Sequence, residues 1–233
     1  MRSKLTMTKA SFLFAITIFF MIVAVPAQSA TVPGTADPWL AGMPAGSLDN
    51  VGTPEPADVA PTQSPVQVMG ITITGGTQLQ WTATGLVGHP GEVAGPDGAP
   101  AIYSRLIGAN NGISDITSPI NALLGVFLGA GQPDPLSTPG ALDFSSAASR
   151  DYLALYPLLQ QVFFMGDGVT SALAAQTIIA PAGATRLFLG TMDGYGWANN
   201  VGFFEVTLSA VPEPVTMLLL GLGLVGLAGI RRK

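Results

Sequence analysis

Residues 192–200 read Met-Asp-Gly-Tyr-Gly-Trp-Ala-Asn-Asn. Asp193, Asn199 and Asn200 put one carboxylate and two carboxamides into eight residues, and Gly194 and Gly196 permit tight curvature. Hard cations such as Ca2+ take carboxylate, amide and carbonyl oxygens, so this loop could hold one, with backbone carbonyls completing the shell. The residue order of an EF-hand loop is absent. The same residue types in a Gly-rich loop also make ordinary turns, and both readings stand at this point. Tyr195 and Trp197 could form a platform for a sugar ring, or pack inward as aromatic turn residues do.

Other chemistry-bearing residues are scattered. His89, the single histidine, lacks any partner at metal-ligand spacing and sits among Gly and Pro, as a solvated loop residue would. Glu92, Asp97 and Asp115 are spread over separate loops, so no glycosidase carboxylate pair can be assigned. Arg150 and Asp151 suit a helix end, and Gly166-Asp167-Gly168 reads as a turn. With no nucleophile–base pair or metal-hydrolase motif in view, enzymatic activity is not expected.

Such a loop needs rigid elements beneath it. From Val66 the chain carries short β-branched or alternating runs. Val66–Ile73 and Leu79–Ala83 flank Gly75-Gly76 as a hairpin-like pair, and further runs cover 123–128, 161–165, 176–179, 185–189 and 203–208. Only Asp151–Gln160 suits a helix, and Pro157 limits it. About seven short strands separated by turn signals imply an all-β sandwich over residues 66–210. Residues 30–65 hold seven Pro and four Gly with no periodicity, and read as an arm in which Trp39-Leu40 could dock on the core.

Of 233 residues, 10% are charged, none is Cys, and the net charge is −5. Six of the nine basic residues lie in the terminal segments. Residues 31–210 therefore carry three Arg against thirteen Asp and Glu, a formal charge of −10. That balance excludes a nucleic-acid binder and favours cations wherever oxygen ligands gather. The absence of Cys rules out a disulfide framework.

Both ends read as addresses. Arg2, Lys4 and Lys9 precede the apolar run Ala10–Val25, then Pro26 and the small residues Ala27-Gln28-Ser29-Ala30. This is the order of a secretory signal peptide over residues 1–29, with the mature start near Ala30. Residues 211–233 place Pro212-Glu213-Pro214 before the sixteen apolar residues Val215–Ile230 and a terminal Arg-Arg-Lys. As a helix that run spans about 24 Å, near the thickness of a bilayer core, with the basic end held inside.

Pro212-Glu213-Pro214, the Gly-punctuated apolar run and the basic end resemble the PEP-CTERM sorting signal of Gram-negative bacteria. The resemblance implies processing by an exosortase, a transient anchor in the inner membrane, and delivery to the cell envelope or extracellular matrix. Exopolysaccharide and biofilm are the associated context. Within the cargo, Gly183-Ala184, Leu187, Leu189, Asp193, Asn199-Asn200, Gly202, Phe204 and Val206 resemble the galactose-binding-like β-sandwich of bacterial calcium-dependent galactose lectins. Gly95-Pro96-Asp97-Gly98 and the run from Ala122 to Gly129 resemble its upstream turn and strand. The likeness implies a jelly-roll-type antiparallel sandwich with Asp193, Asn199 and Asn200 as Ca2+ ligands and a glycan bound at the ion. The lectins' sugar-contacting His-Pro segment follows their Gly-Pro-Asp-Gly turn, whereas His89-Pro90 precedes it here. The alternative is a structural envelope protein with no ligand site.

Overall fold

The computed structural model describes residues 27–51, 53–105 and 110–211. Residues 1–26 of the expected signal peptide, the apolar C-terminal run and Pro212, Glu213 and Pro214 lie outside them; Ala27, Gln28 and Ser29, which the leader reading includes, lie inside, and Gln28 and Ser29 open β1. Among the described residues no helix is long and apolar enough to cross a membrane.

The chain is all-β. In order, β1 is Gln28–Pro33, β2 Leu48–Asp49, β3 Asp58–Val59, β4 Val66–Gln67 and β5 Gln78–His89. Next come β6 (Glu92–Ala94), β7 (Ile102–Arg105), β8 (Ile116–Pro119), β9 (Leu123–Leu128) and β10 (Leu142–Asp143). The last are β11 (Ala154–Leu155), β12 (Val162–Phe164), β13 (Thr177–Ile179), β14 (Arg186–Thr191) and β15 (Val201–Val211). The largest sheet runs β1-β15-β5-β13-β11, with β6 added to the end of β5; a second runs β12-β9-β14-β4. Two small sheets, β10-β8-β7 and β2-β3, complete the set. The two larger sheets contribute to one apolar core, an arrangement consistent with a β-sandwich.

Alternation builds the first sheet. Leu79, Trp81, Ala83 and Val87 of β5 and Phe204, Val206 and Leu208 of β15 are buried, while the intervening Thr, Glu and Phe203 face outward. By contrast, β9 is buried along its whole length, as its unbroken apolar sequence requires.

Residues 30–65 do not form a loose arm. β1 pairs with β15 over six residues, from Gln28 opposite Leu208 to Pro33 opposite Phe203. Trp39 is fully buried in a 3-10 turn (Pro38–Leu40) whose first N–H is capped by Asp37 Oδ1 at 2.9 Å. The segment crosses β14 at Gly190, where a Cβ would lie 2.7 Å from Ala36 O and 2.8 Å from Pro38 Cγ. Proline and glycine hide this structure from periodicity because side-chain contacts with distant residues hold it.

Two other expectations are corrected. β4 pairs with β14 rather than with β5, so Gly75-Gly76 carries the chain between sheets instead of closing a hairpin. Residues 151–160 are not helical; the helix is Ala147–Arg150, with Ser146 Oγ accepting from Ser149 N at 3.0 Å. Asp151 instead accepts from the N–H and hydroxyl of Ser171, and Pro157, which has no N–H and clashes with the preceding turn, blocks a helix running through the segment.

Candidate functional site

The loop between β14 and β15 is shaped by its own carboxylate. Asp193 Oδ1 accepts from Gly194 N at 2.6 Å and Tyr195 N at 3.3 Å, an Asx-type turn. Its Oδ2 accepts from Asn200 Nδ2 at 2.8 Å. Burial pushes the Asp193 carboxyl above the usual carboxylate range, against the opposing donors of Asn200, Tyr195 and Gly194. Gly196 follows at φ +87°, where a Cβ would meet Glu55 Cγ at 2.8 Å. A 3-10 turn, Trp197–Asn199, then leads into β15.

That turn is held from below. Asp58 of β3 accepts from Trp197 N at 3.2 Å and Ala198 N at 3.0 Å, and from Asn50 Nδ2 at 2.8 Å. Burial raises the Asp58 pKa as well. Trp197 is fully buried, 5.5 Å from the Trp39 ring, and its Nε1 donates to Thr191 O at 2.9 Å. Arg105 lies over the other ring system, 3.7 Å from the Trp39 centroid, and its Nη2 is 2.5–2.6 Å from both Asp49 carboxylate oxygens. The loop therefore rests on a buried aromatic and ionic floor supplied by residues 37–58 together with Arg105 of β7.

The five candidate residues separate on this frame. Asp193 and Asn200 come together, whereas Asn199 is exposed at the cleft wall. Tyr195 remains 44% exposed. Trp197 is a correction: it belongs to the core and cannot stack on a ligand.

A cleft of about 630 Å³ opens beside the loop. Asp193, Gly194, Tyr195, Asn199 and Asn200 form one wall; Glu55, His89, Glu92, Tyr103 and Asn121 form others. Tyr103 is 47% exposed, and its ring lies 3.2 Å from where a Gly194 Cβ would be. The β5–β6 hairpin sets His89 opposite Glu92. Asn121 Nδ2 donates to Glu92 O at 2.9 Å and fixes that hairpin. Tyr103 and Glu55 carried no sequence signal, and Glu92 read only as an isolated loop carboxylate, because elements far apart in the chain bring them here. Across Ala99-Pro100 lies a second cleft of about 620 Å³ holding Asp97, Asp151 and Asp167. Its carboxylates cap turns: Asp97 Oδ1 accepts from Asp167 N, and Asp167 Oδ1 from Val169 N, both at 3.0 Å.

The fit to Ca2+ is incomplete as the residues stand. Both Asp193 oxygens accept protein donors, and Asn200 turns its amide nitrogen, not its oxygen, toward the carboxylate. Asn200 Nδ2 also lies 3.3 Å from Gly34 O, while its Oδ1 is buried without a hydrogen-bond partner. Among the described residues no three acidic or imidazole groups converge to hold a metal.

At the C-terminus, residues 210–233 match the family model of the PEP-CTERM protein-sorting motif. The match marks an exported protein that is processed by exosortase and transiently anchored in the membrane through its C-terminus. No curated protein matches the chain.

Proposed function

We propose that this chain is a surface-delivered binding module whose β14–β15 cleft takes a neutral carbohydrate at the envelope or matrix of a Gram-negative cell. The observation that carries this reading is the pairing of two exposed rings, Tyr103 and Tyr195, with Asp193, Asn199, Glu92 and His89 around one cavity. Sugar rings offer apolar C–H faces for aromatic stacking and hydroxyls for carboxylates and amides. Among the described residues the cleft is lined by Glu55, Glu92 and Asp193 but by no Lys or Arg, so an anionic polysaccharide is disfavoured.

Ca2+ is a second reading, favoured by the buried, unpartnered Asn200 Oδ1. A half-turn of that amide would set an oxygen beside the Asp193 carboxylate, at the loss of the two Nδ2 contacts. Asp193, Asn199 and Asn200 would then supply the side-chain oxygens of the ion's shell.

A glycan array probed with residues 27–211, with and without a chelator, tests both readings. Chelator-insensitive binding to neutral glycans supports direct recognition, and binding lost with chelator and in Asp193→Ala supports the ion. No binding in either buffer returns the chain to the structural biofilm and envelope role.

A further inference from the structure

We infer that the end of the sandwich at which β15 finishes rests on the lipid surface while the sorting segment is attached, leaving the ligand cleft at the far end. The sorting match begins at residue 210, where Ala210 and Val211 still pair with Leu79 and Gln78 of β5. The apolar run begins at Val215, only four residue steps after Val211, a reach of at most about 14 Å. No linker separates a centrally paired strand from its anchor. The start of β1 lies at the same end, with Gln28 opposite Leu208.

The composition of that end fits a bilayer. The register places residues 69–77 and 180–185 there, because Gly76 N donates to Ala180 O and Val68 N to Leu187 O. β11 runs parallel to β13 with Leu155 opposite Ile178, and Ile179 lies opposite Gln78. Tyr156 and Leu158, which follow β11, therefore emerge at the same end. Residues 69–82, 152–163, 176–185 and 206–211 contain no charged side chain, although the chain carries fourteen acids; the charges the register brings to this end are Arg186, opposite Leu128 at the start of β14, and Asp134 in the connection that follows β9. Met69, Tyr156 and Leu158 are 69%, 72% and 57% exposed. Uncharged turns carrying exposed Met, Tyr and Leu suit the interfacial zone of a membrane, where amphipathic rings and apolar side chains gain from partial burial. Arg186 turns its guanidinium to Gly129 O and Gly131 O, so these segments form no basic patch and the surface requires no anionic lipid. The opposite end of β5, eleven residues and about 36 Å away, carries His89 and Glu92 of the cleft.

The chain has no Cys, so single-cysteine variants report on position directly. Thr74→Cys and Ala182→Cys mark the proposed contact, and Pro90→Cys marks the cleft end. The full uncleaved chain in zwitterionic vesicles, labelled with an environment-sensitive dye, is read against lipids spin-labelled near the headgroup. Quenching at positions 74 and 182 at least threefold above position 90, unchanged between 0.05 and 0.5 M salt, is the expected result. Met69→Asp with Tyr156→Asp, both at exposed positions, should remove most of that difference while circular dichroism stays unchanged. Equal quenching at all three positions would overturn the inference. So would protection at 74 and 182 that persists in detergent with a co-purifying protein, since a protein rather than lipid would then cover this end.

Discussion

The carboxylate of Asp58 accepts from the backbone N–H groups of Trp197 and Ala198, 139 and 140 residues further along the chain. Through this contact the Pro-rich N-terminal segment sets the position of the cleft loop. Both donors are otherwise unpaired first-turn N–H groups, and Asp58 is buried. Asp58→Ala should cost about 1–3 kcal/mol, since it strands two N–H groups and Asn50 Nδ2. Chemical denaturation checks the cost, and a change within experimental error would show that the segment does not support the loop.

Tyr195 and Trp197, two residues apart, should behave oppositely. Trp197→Ala removes a fully buried ring and should destabilise by about 3–5 kcal/mol. Tyr195→Ala removes an exposed ring and should stay within about 0.5 kcal/mol of the parent. Thermal unfolding of the two variants side by side separates a core role from a surface role.

Acid should stabilise the fold over part of the range. Burial pushes Asp37 well above the usual carboxylate range, and the Asp49 charge adds to it while Arg105 opposes. Asp37 Oδ2 is buried with no hydrogen-bond partner. Its favourable contribution is complete below its ordinary value near ~4 and is lost as pH rises through the raised one. Asp58, Asp97 and Asp193 are shifted the same way, each chiefly by burial. Asp143 and Asp151 are lowered by donors from Ser145 and Ser171, and their contributions disappear in stronger acid. The urea midpoint should therefore rise from pH 7.5 to pH 5. Asp37→Asn, which keeps the acceptor for Trp39 N, should raise the midpoint at pH 7.5 and flatten the dependence. A parent midpoint that falls over this interval would contradict the assignment.

The sheets were legible where one force dominated. β9 matches its apolar run residue for residue, because six unbroken apolar residues between Asn121 and Gly129 are too short for a buried helix and suit a strand covered on both faces. β14 and β15 fall within a few residues of short apolar runs bounded by turn residues, although only β15 alternates. Residues 30–65 were opaque apart from the docking of Trp39-Leu40, which the core does bury, because Asp49 and Asp58 act through distant partners, Arg105 and the Trp197–Ala198 backbone. In the site, the oxygen-bearing loop was visible from composition, and Asp193 and Asn200 do meet. Trp197 was misplaced because an aromatic in a Gly-rich loop gives no sign of which way it faces. Tyr103 and Glu55 gave no sign in the sequence, and Glu92 only that of a lone loop carboxylate, because sheet topology alone brings them to the cleft.

The junction at Val211 makes a prediction about release. Deleting residues 212–233 leaves every β15–β5 pair in place, so the truncated chain should fold and appear in the medium. Cell fractionation checks this, and a truncated chain that stays with the membrane would show that the anchor lies elsewhere.

The most direct test of the binding account is a calorimetric titration of residues 27–211 with the best neutral glycan from the array. The parent should bind saturably, and Tyr103→Ala and Tyr195→Ala should each weaken binding by about tenfold, on the order of 1.4 kcal/mol. Asp151→Ala, in the neighbouring cleft, should leave it unchanged. No heat of binding, or binding indifferent to both tyrosines, would contradict the assignment of this cleft.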